Sequence, residues 1–278
     1  MITHHPGELI QHDSSYHRWS PYIADKFYLI TSLDGYSRYL FYADVTERES
    51  SWAHIMALES VCTRYGLPLS YYVDNHSMFR FLEKRDTIWT KHYARTDEKD
   101  PQWKQVLQEL RVKVTYALSP QAKGKIERPY RWLQDRIVRT CARENIIAIA
   151  QVREILSYEV KRYNERQVHS TTGEIPHMRL ERAIEEGKTL FRPFKLPFPC
   201  ESTKDIFALR GTRTTNAYRK VSLNGVEFKV PGVDPYKPVD LRMVPDPETG
   251  LTEIRFWHNG KLVSTQKVQT YALKGMRF

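Results

Sequence analysis

The stretch KFYLITSLDGYSRYLFYADV, residues 26–45, constrains the fold more than any other part of the chain. Two runs rich in aromatic and β-branched residues flank an Asp34-Gly35 pair, the pattern of two antiparallel strands joined by a tight turn. Upstream, GELIQH (residues 7–12) reads as a short strand running directly into Asp13. Downstream, SSWAHIMALESVCTRYG places Trp52, Ile55, Met56, Leu58, Val61 and Cys62 at helical spacing and stops at Gly66. LSYYVDN then reads as a buried strand ending at Asp74, and residues 76–100, polar and irregular, as an insertion or loop. QWKQVLQELRV reads as a short helix and VTYAL as a strand. A basic helix beginning near Glu127 and a second long helix, AIAQVREILSYEVKRYNERQ, follow. This order predicts an α/β fold in which helices cover a mixed sheet.

After Gln167 the character changes. Pro176, Pro193, Pro197 and Pro199 suit an extended linker with one short helix, residues 168–202. From about Thr203 the chain consists of short strand-like runs, with Asn-Gly pairs at 224–225 and 259–260 set between them. A small antiparallel barrel is the expected closure for such strands. The expected organisation is therefore a core over 1–167, a linker over 168–202 and a small all-β barrel over 203–278, a division that 278 residues accommodate.

The balance of 43 Lys and Arg against 33 Asp and Glu gives a net charge of +10. Such a balance suits a polyanionic partner as well as plain solubility, and by itself does not choose between DNA, RNA and acidic membranes. No run approaches the roughly 18 apolar residues that cross a bilayer, and the N-terminus lacks the order of a signal peptide, so a cytoplasmic location without membrane contact is expected. Three cysteines, none in a CxxC pair, argue against a disulfide framework or zinc ribbon.

Three acids stand at element ends: Asp13 after the first strand, Asp74 after the fourth, Glu127 at the start of a helix. Each has an ordinary reading, Asp13 and Asp74 as capping or turn residues and Glu127 as a surface ion-pair partner. Together they suit another task, because work on phosphodiesters uses carboxylates from separate elements to hold two divalent cations about 3.5–4 Å apart. Ile126, Tyr130, Leu133, Ile137 and Cys141 form the apolar stripe of that helix, which sets Glu127 at its border beside the polar row Lys123, Arg131 and Gln134. Lys123, Lys125, Arg128 and Arg131 would then meet approaching phosphates, the alternative being a solvated basic face.

The segments IQHDSS, SLDGYSRYLFYADV, YYVDNHSMF, SPQAKGKIER and RYNERQVHSTTGEIPHMR, spread over residues 7–182, resemble the integrase core of bacterial insertion-sequence transposases and retroviral integrases. The resemblance implies an RNase H-like integrase core with a mixed five-stranded sheet. It also implies an Asp-Asp-Glu triad at Asp13, Asp74 and Glu127 holding two Mg²⁺ ions, with Mn²⁺ as a substitute. DNA cleavage and strand transfer between transposon ends and target DNA, by a homo-oligomer, follow from it. LNGVEFKVP is similar, more weakly, to the small C-terminal barrel of phage Mu-like transposases.

Asn75 and His76 join the DNA-contact candidates; Asp-Asn-His here replaces the family's common Asp-Asn-Gly. Asp34 falls in the family's turn and is expected to be structural, and Asp25, Asp44 and Asp135 match no metal position. Pro129, two residues after Glu127, predicts a late start or bend in the helix. The twelve residues ahead of Asp13 in this sequence are too few for a helix-turn-helix or zinc module, so a truncated product, one half of a split gene or end recognition by other means is expected. In the C-terminal part, Arg210, Arg213, Arg219 and Lys220 are candidates for gripping flanking DNA, or ordinary solubilising charge. Two rival functions are a metal-dependent nuclease of the same fold and a DNA-binding regulator without catalysis.

Overall fold

The structure is a computed structural model that describes residues 2–74, 102–117 and 124–273, with side chains from 129 onward in the last segment. The insertion expected over 76–100, together with Asn75, His76 and Lys123, lies outside the described residues. Two compact units divide the chain. One takes residues up to Glu49, from Ala57 to Asp74 and from Leu110 to Phe194; the other takes Ser50–Met56, Gln102–Glu109 and the chain from Lys195.

The first unit is built on a five-stranded mixed sheet in the order β3-β2-β1-β4-β5. Its strands are β1 Ile10–His17, β2 Phe27–Asp34, β3 Leu40–Thr46, β4 Ser70–Val73 and β5 Lys113–Tyr116. The first three pair antiparallel, and β4 and β5 join them in parallel, as expected of an RNase H-like core. The β2–β3 connection departs from a two-residue turn. Gly35 keeps an ordinary φ and donates its N–H to Leu9 at 2.8 Å, where an added Cβ would meet the Leu9 carbonyl at 2.9 Å; the left-handed residue of the loop is Arg38. Asp34 closes the loop from within. Its buried carboxylate accepts from the Ser37 N–H and hydroxyl, each at 2.7 Å, and from the Gly7 N–H at 3.1 Å.

Helices cover this sheet because their apolar stripes fit it. In α3 (Gly124–Arg143), Tyr130, Leu133, Ile137 and Cys141 are buried against Leu29, Leu33 and Val45, together with Val152, Leu156 and Tyr163 of α4 (Ile149–Arg166). Burying a side chain such as Leu133 or Ile137 contributes about 1.5–3 kcal/mol. The helix neither starts late nor stops at Pro129, which lies inside α3 and withholds the N–H that would reach back one turn. The stripe of α1 (Ser51–Tyr65) is buried at Trp52, Ile55, Leu58, Val61 and Cys62, whereas Met56 turns outward. Past α4 the chain forms α5 (Pro176–Glu185) and returns to the unit, where Arg192 and Leu67 exchange backbone hydrogen bonds of 2.9 and 2.7 Å. Among the described residues, no helix is long and apolar enough to cross a membrane.

The edge strand β3 is covered by side chains. Asn164 accepts from the Leu40 N–H at 2.9 Å and donates to the Leu40 carbonyl at 3.0 Å, matching what a neighbouring strand would offer. Farther along, Arg153 donates to the Val45 carbonyl at 2.8 Å.

The second unit corrects the expected barrel. Strands β6 (Leu209–Thr214), β9 (Pro238–Asp246), β10 (Leu251–His258) and β11 (Lys261–Gln269) form an open sheet in the order β11-β10-β9-β6, while β7 (Lys220–Leu223) and β8 (Val226–Lys229) pair only with each other. Both Asn-Gly pairs are turns with left-handed residues at each position, as two-residue hairpins require. Closure fails at two places. β7 and β8, four residues each, are consumed by their own hairpin. The outer edge of β6 is met by a side-chain amide instead of a strand: Arg210 donates its N–H to Gln102 Oε1 at 2.6 Å, and Gln102 Nε2 donates to the Arg210 carbonyl at 2.9 Å. Gln102 opens α2 (Gln102–Glu109), which counts with this unit although it precedes β5 in sequence.

Candidate active site

The sheet register brings two of the three expected acids together. β1 and β4 pair in parallel with Ile10 opposite Tyr71 and Gln11 opposite Tyr72. Carrying that register on by two residues sets Asp74, the first residue after β4, level with Asp13. Level residues on parallel neighbours share a face. Asp13 also stands opposite Thr31 on β2, so Thr31 belongs to the same face, and its hydroxyl donates to the Tyr130 hydroxyl of α3 at 3.0 Å.

Tyr130 reads out this grouping. Burial, then the charges of Asp13, Glu49 and Asp74, push its phenol well above its ordinary range, against the opposing effect of the Thr31 hydrogen bond. A single buried hydroxyl therefore senses both aspartates, which are themselves partly buried. Glu127 lies three residues before Tyr130 in α3, just under one turn earlier; its side chain lies outside the described residues, as do those of Lys125 and Arg128. Arg131, the remaining basic candidate, is exposed on α3.

Neighbouring groups sort to other tasks. His12 faces away from Asp13, with Nδ1 2.9 Å from Ser32 Oγ and its ring edge-on to Tyr71. Asp44 pairs with Arg153 at 3.3 Å and Asp135 with Arg139 at 2.7 Å. Pattern reading misses Tyr130 as more than a stripe residue, and misses Glu49, whose carboxylate accepts from Ser14 and whose charge reaches Tyr130. Glu49 sits in the polar run TERES ahead of α1, a context that signals only a helix start. Arg210 cannot serve as a free DNA contact: it is largely buried, donates to Glu109 at 2.5 Å, and burial beside Arg242 pushes its pKa down to about 9.

The donor chemistry suits a hard divalent cation, which takes carboxylate oxygens in preference to nitrogen or sulfur. Asp13 and Asp74 fit that requirement in kind and in placement. Among the described residues, no three His, Cys, Asp or Glu side chains come together as a metal-holding group.

No protein-family model matches the chain. In sequence it is similar to a candidate transposase, y4bF, of Sinorhizobium fredii: 32% identical over 160 residues, 58% of this chain and 33% of that protein. It is also similar to the transposase for insertion sequence IS1202 of Streptococcus pneumoniae, 24% identical over 220 residues, 74% of this chain and 46% of that protein. The chain thus spans between 33% and 46% of the length of these curated relatives. Among solved structures it is similar to a chain of the simian T-cell lymphotropic virus intasome in complex with PP2A regulatory subunit B56 gamma. That match has a TM-score of 0.50 and 14% identity, and covers 95% of this chain and 81% of that one. At this identity the likeness speaks for the fold. The sequence matches are thus to transposases, and the structural match is one of fold.

Proposed function

We propose that the chain cuts and joins DNA as a transposase, using Asp13, Asp74 and Glu127 to hold two Mg²⁺ ions, or Mn²⁺ in their place. The observation that carries this reading is the β1–β4 register, which sets Asp74 beside Asp13 on one face of the sheet. Bound Mg²⁺ would supply Lewis-acid activation of the attacking oxygen and charge stabilisation of the leaving one. Asp13 and Asp74 contribute rigidity: each is fixed by a strand pairing within two residues of it, so little reorganisation is needed when a phosphate arrives. Lys123, Lys125, Arg128 and Arg131, with Asn75 and His76, would position the DNA backbone, which calls for cations at a working distance from the acids.

In the first step water attacks a phosphodiester at a transposon end and releases a 3′-hydroxyl. In the second, that hydroxyl attacks target DNA in line, one P–O bond forming as another breaks. Two ends must be engaged together, which calls for more than one copy of the chain. The test is a Mg²⁺-dependent cleavage and strand-transfer assay on end-containing DNA. Asp13→Asn, Asp74→Asn and Glu127→Gln should each abolish product while DNA binding persists. Wild-type rates in Asp74→Asn would overturn the assignment.

A further inference from the structure

The second unit carries a feature that its packing does not explain. Tyr218 and Tyr236 are 79% and 72% exposed. Both emerge from one tied pair of segments. The Tyr236 N–H donates to the Thr215 carbonyl at 2.9 Å, the Thr215 N–H to the Lys237 carbonyl at 3.0 Å, and the Thr215 hydroxyl to the Asp234 carbonyl at 2.7 Å. The next residue, Asn216, accepts through Oδ1 from the N–H groups of both Tyr218 and Lys220, each at 2.9 Å. Thr215 and Asn216 thus hold the two tyrosine-bearing segments at one end of the unit.

The backbone there is also unusual. Tyr236 and Arg219 have φ values of 60° and 58°, the left-handed region that bulky residues rarely enter. A left-handed tyrosine whose ring stays in solvent gains little burial to offset that cost, and local strain of this kind gathers at functional positions. Cations adjoin the two tyrosines in sequence: Arg219 and Lys220 follow Tyr218, and Lys237 follows Tyr236. Arg219 meets Asp234 at 3.7 Å and Lys220 meets Glu227 at 2.8 Å, both in exposed pairs that a competing phosphate can exchange, while Lys237 has no ion pair among the described residues.

Exposed aromatic faces beside cations are what an unpaired nucleic-acid strand uses, its bases stacking on rings and its phosphates meeting the charges. In a duplex the base faces are already stacked on one another. Protein interfaces use tyrosine and arginine as well, so the choice of nucleic acid rests on the cations Arg219, Lys220 and Lys237, whose charge complements a phosphate backbone. We propose that the end formed by residues 215–220 and 234–237 binds unpaired nucleotides, with bases stacked on Tyr218 and Tyr236 and phosphates held by Arg219, Lys220 and Lys237. The identity of the partner as nucleic acid also rests on the DNA-processing reading above; the stacking itself does not depend on cleavage.

The test uses the full chain without divalent cation, so that cleavage plays no part. Binding to a fluorescein-labelled oligothymidylate of about 15 nucleotides and to a duplex of equal length is followed by anisotropy. Replacing both tyrosines by Ala should weaken the oligothymidylate complex by about tenfold or more, and Tyr218→Phe with Tyr236→Phe should stay within about twofold of wild type. Photo-crosslinking of a bromodeoxyuridine oligonucleotide to the wild-type chain should map to Tyr218 or Tyr236, a readout independent of how the variants fold. Unchanged oligothymidylate affinity in the Ala pair overturns the proposal, as does an equal loss for the duplex or crosslinks confined to other residues. A change in oligomer mass in the Ala pair with no change in oligonucleotide affinity would assign the surface to a second copy and also overturn it. Loss of strand transfer in Asp13→Asn tests the catalytic reading separately and leaves this measurement unaffected.

Discussion

Asp74 leaves β4 at the position that the parallel register sets level with Asp13, so two carboxylates issue from adjacent strands on one face. If this pair holds Mg²⁺ as proposed, it does so through the folded state alone, because the two residues are far apart in sequence. Mg²⁺ should therefore raise the thermal midpoint of the wild-type chain, by the equivalent of about 2.7 kcal/mol when its concentration is 100 times Kd. Asp13→Asn and Asp74→Asn should each lose most of that response in thermal melts, whether or not they cleave DNA. A wild-type midpoint indifferent to Mg²⁺ would remove the basis for the metal assignment.

Asp34 makes a second prediction, of stability. Its buried carboxylate gathers three donors from Ser37 and Gly7. Asp34→Ala would strand those donors in the interior and should cost about 3 kcal/mol in urea unfolding. Burial, outweighing the hydrogen bonds, holds the Asp34 pKa above its ordinary 3.8. A raised acid contributes stability that is full below the unfolded pKa and is lost as pH rises through the folded one. Asp34→Asn cannot ionise, so the wild-type chain should lose ground relative to it as pH rises from about 3.8. A constant difference across that window would contradict the assignment.

Glu253 has the opposite sign. Burial, its largest single influence, pushes its pKa up, but Lys204 at 2.7 Å and Arg255 at 3.0 Å together bring it below its ordinary 4.5. A lowered acid contributes stability above the unfolded pKa that is lost as pH falls through the folded one. The advantage of wild type over Glu253→Gln in unfolding of the second unit should be full near neutrality and shrink as pH drops below 4.5. Melts at matched ionic strength across the acid range check this.

The amides of Gln102 and Asn164 give a fourth prediction. Each makes two hydrogen bonds to one edge residue, Arg210 and Leu40. Gln102→Leu and Asn164→Leu, which keep bulk but remove both bonds, should each cost about 2 kcal/mol. Glu in place of Gln102 should recover only the bond from the Arg210 N–H. Equilibrium unfolding distinguishes these outcomes, and a neutral Gln102→Leu would show that the edge needs no cover.

What was legible in the sequence followed from local physics. The Asn-Gly pairs dictate left-handed turns, and the spacing of Tyr130, Leu133, Ile137 and Cys141 dictates a buried helix face; both are present. The Asp34-Gly35 pair marked a hairpin correctly but not its length, because Asp34 turns inward to Ser37 and Gly35 is required by the approach of Leu9. The barrel was misjudged for a non-local reason. Whether a sheet closes depends on what meets its last edge, and here that is Gln102, 108 residues before Arg210. Alternation within each strand is identical for an open sheet and a closed one. The pairing of Asp13 with Asp74 is legible only once the parallel register of β1 and β4 is known.

The covered edges at β3 and β6 limit how folded copies of this chain can aggregate. A foreign strand approaching Leu40 or Arg210 finds its hydrogen bonds already answered by a tethered amide that it would have to expel. Fibril-like stacking through those two borders is therefore self-blocked without any proline or lysine placed there for the purpose, and an apolar replacement of either amide would turn a stop into a template.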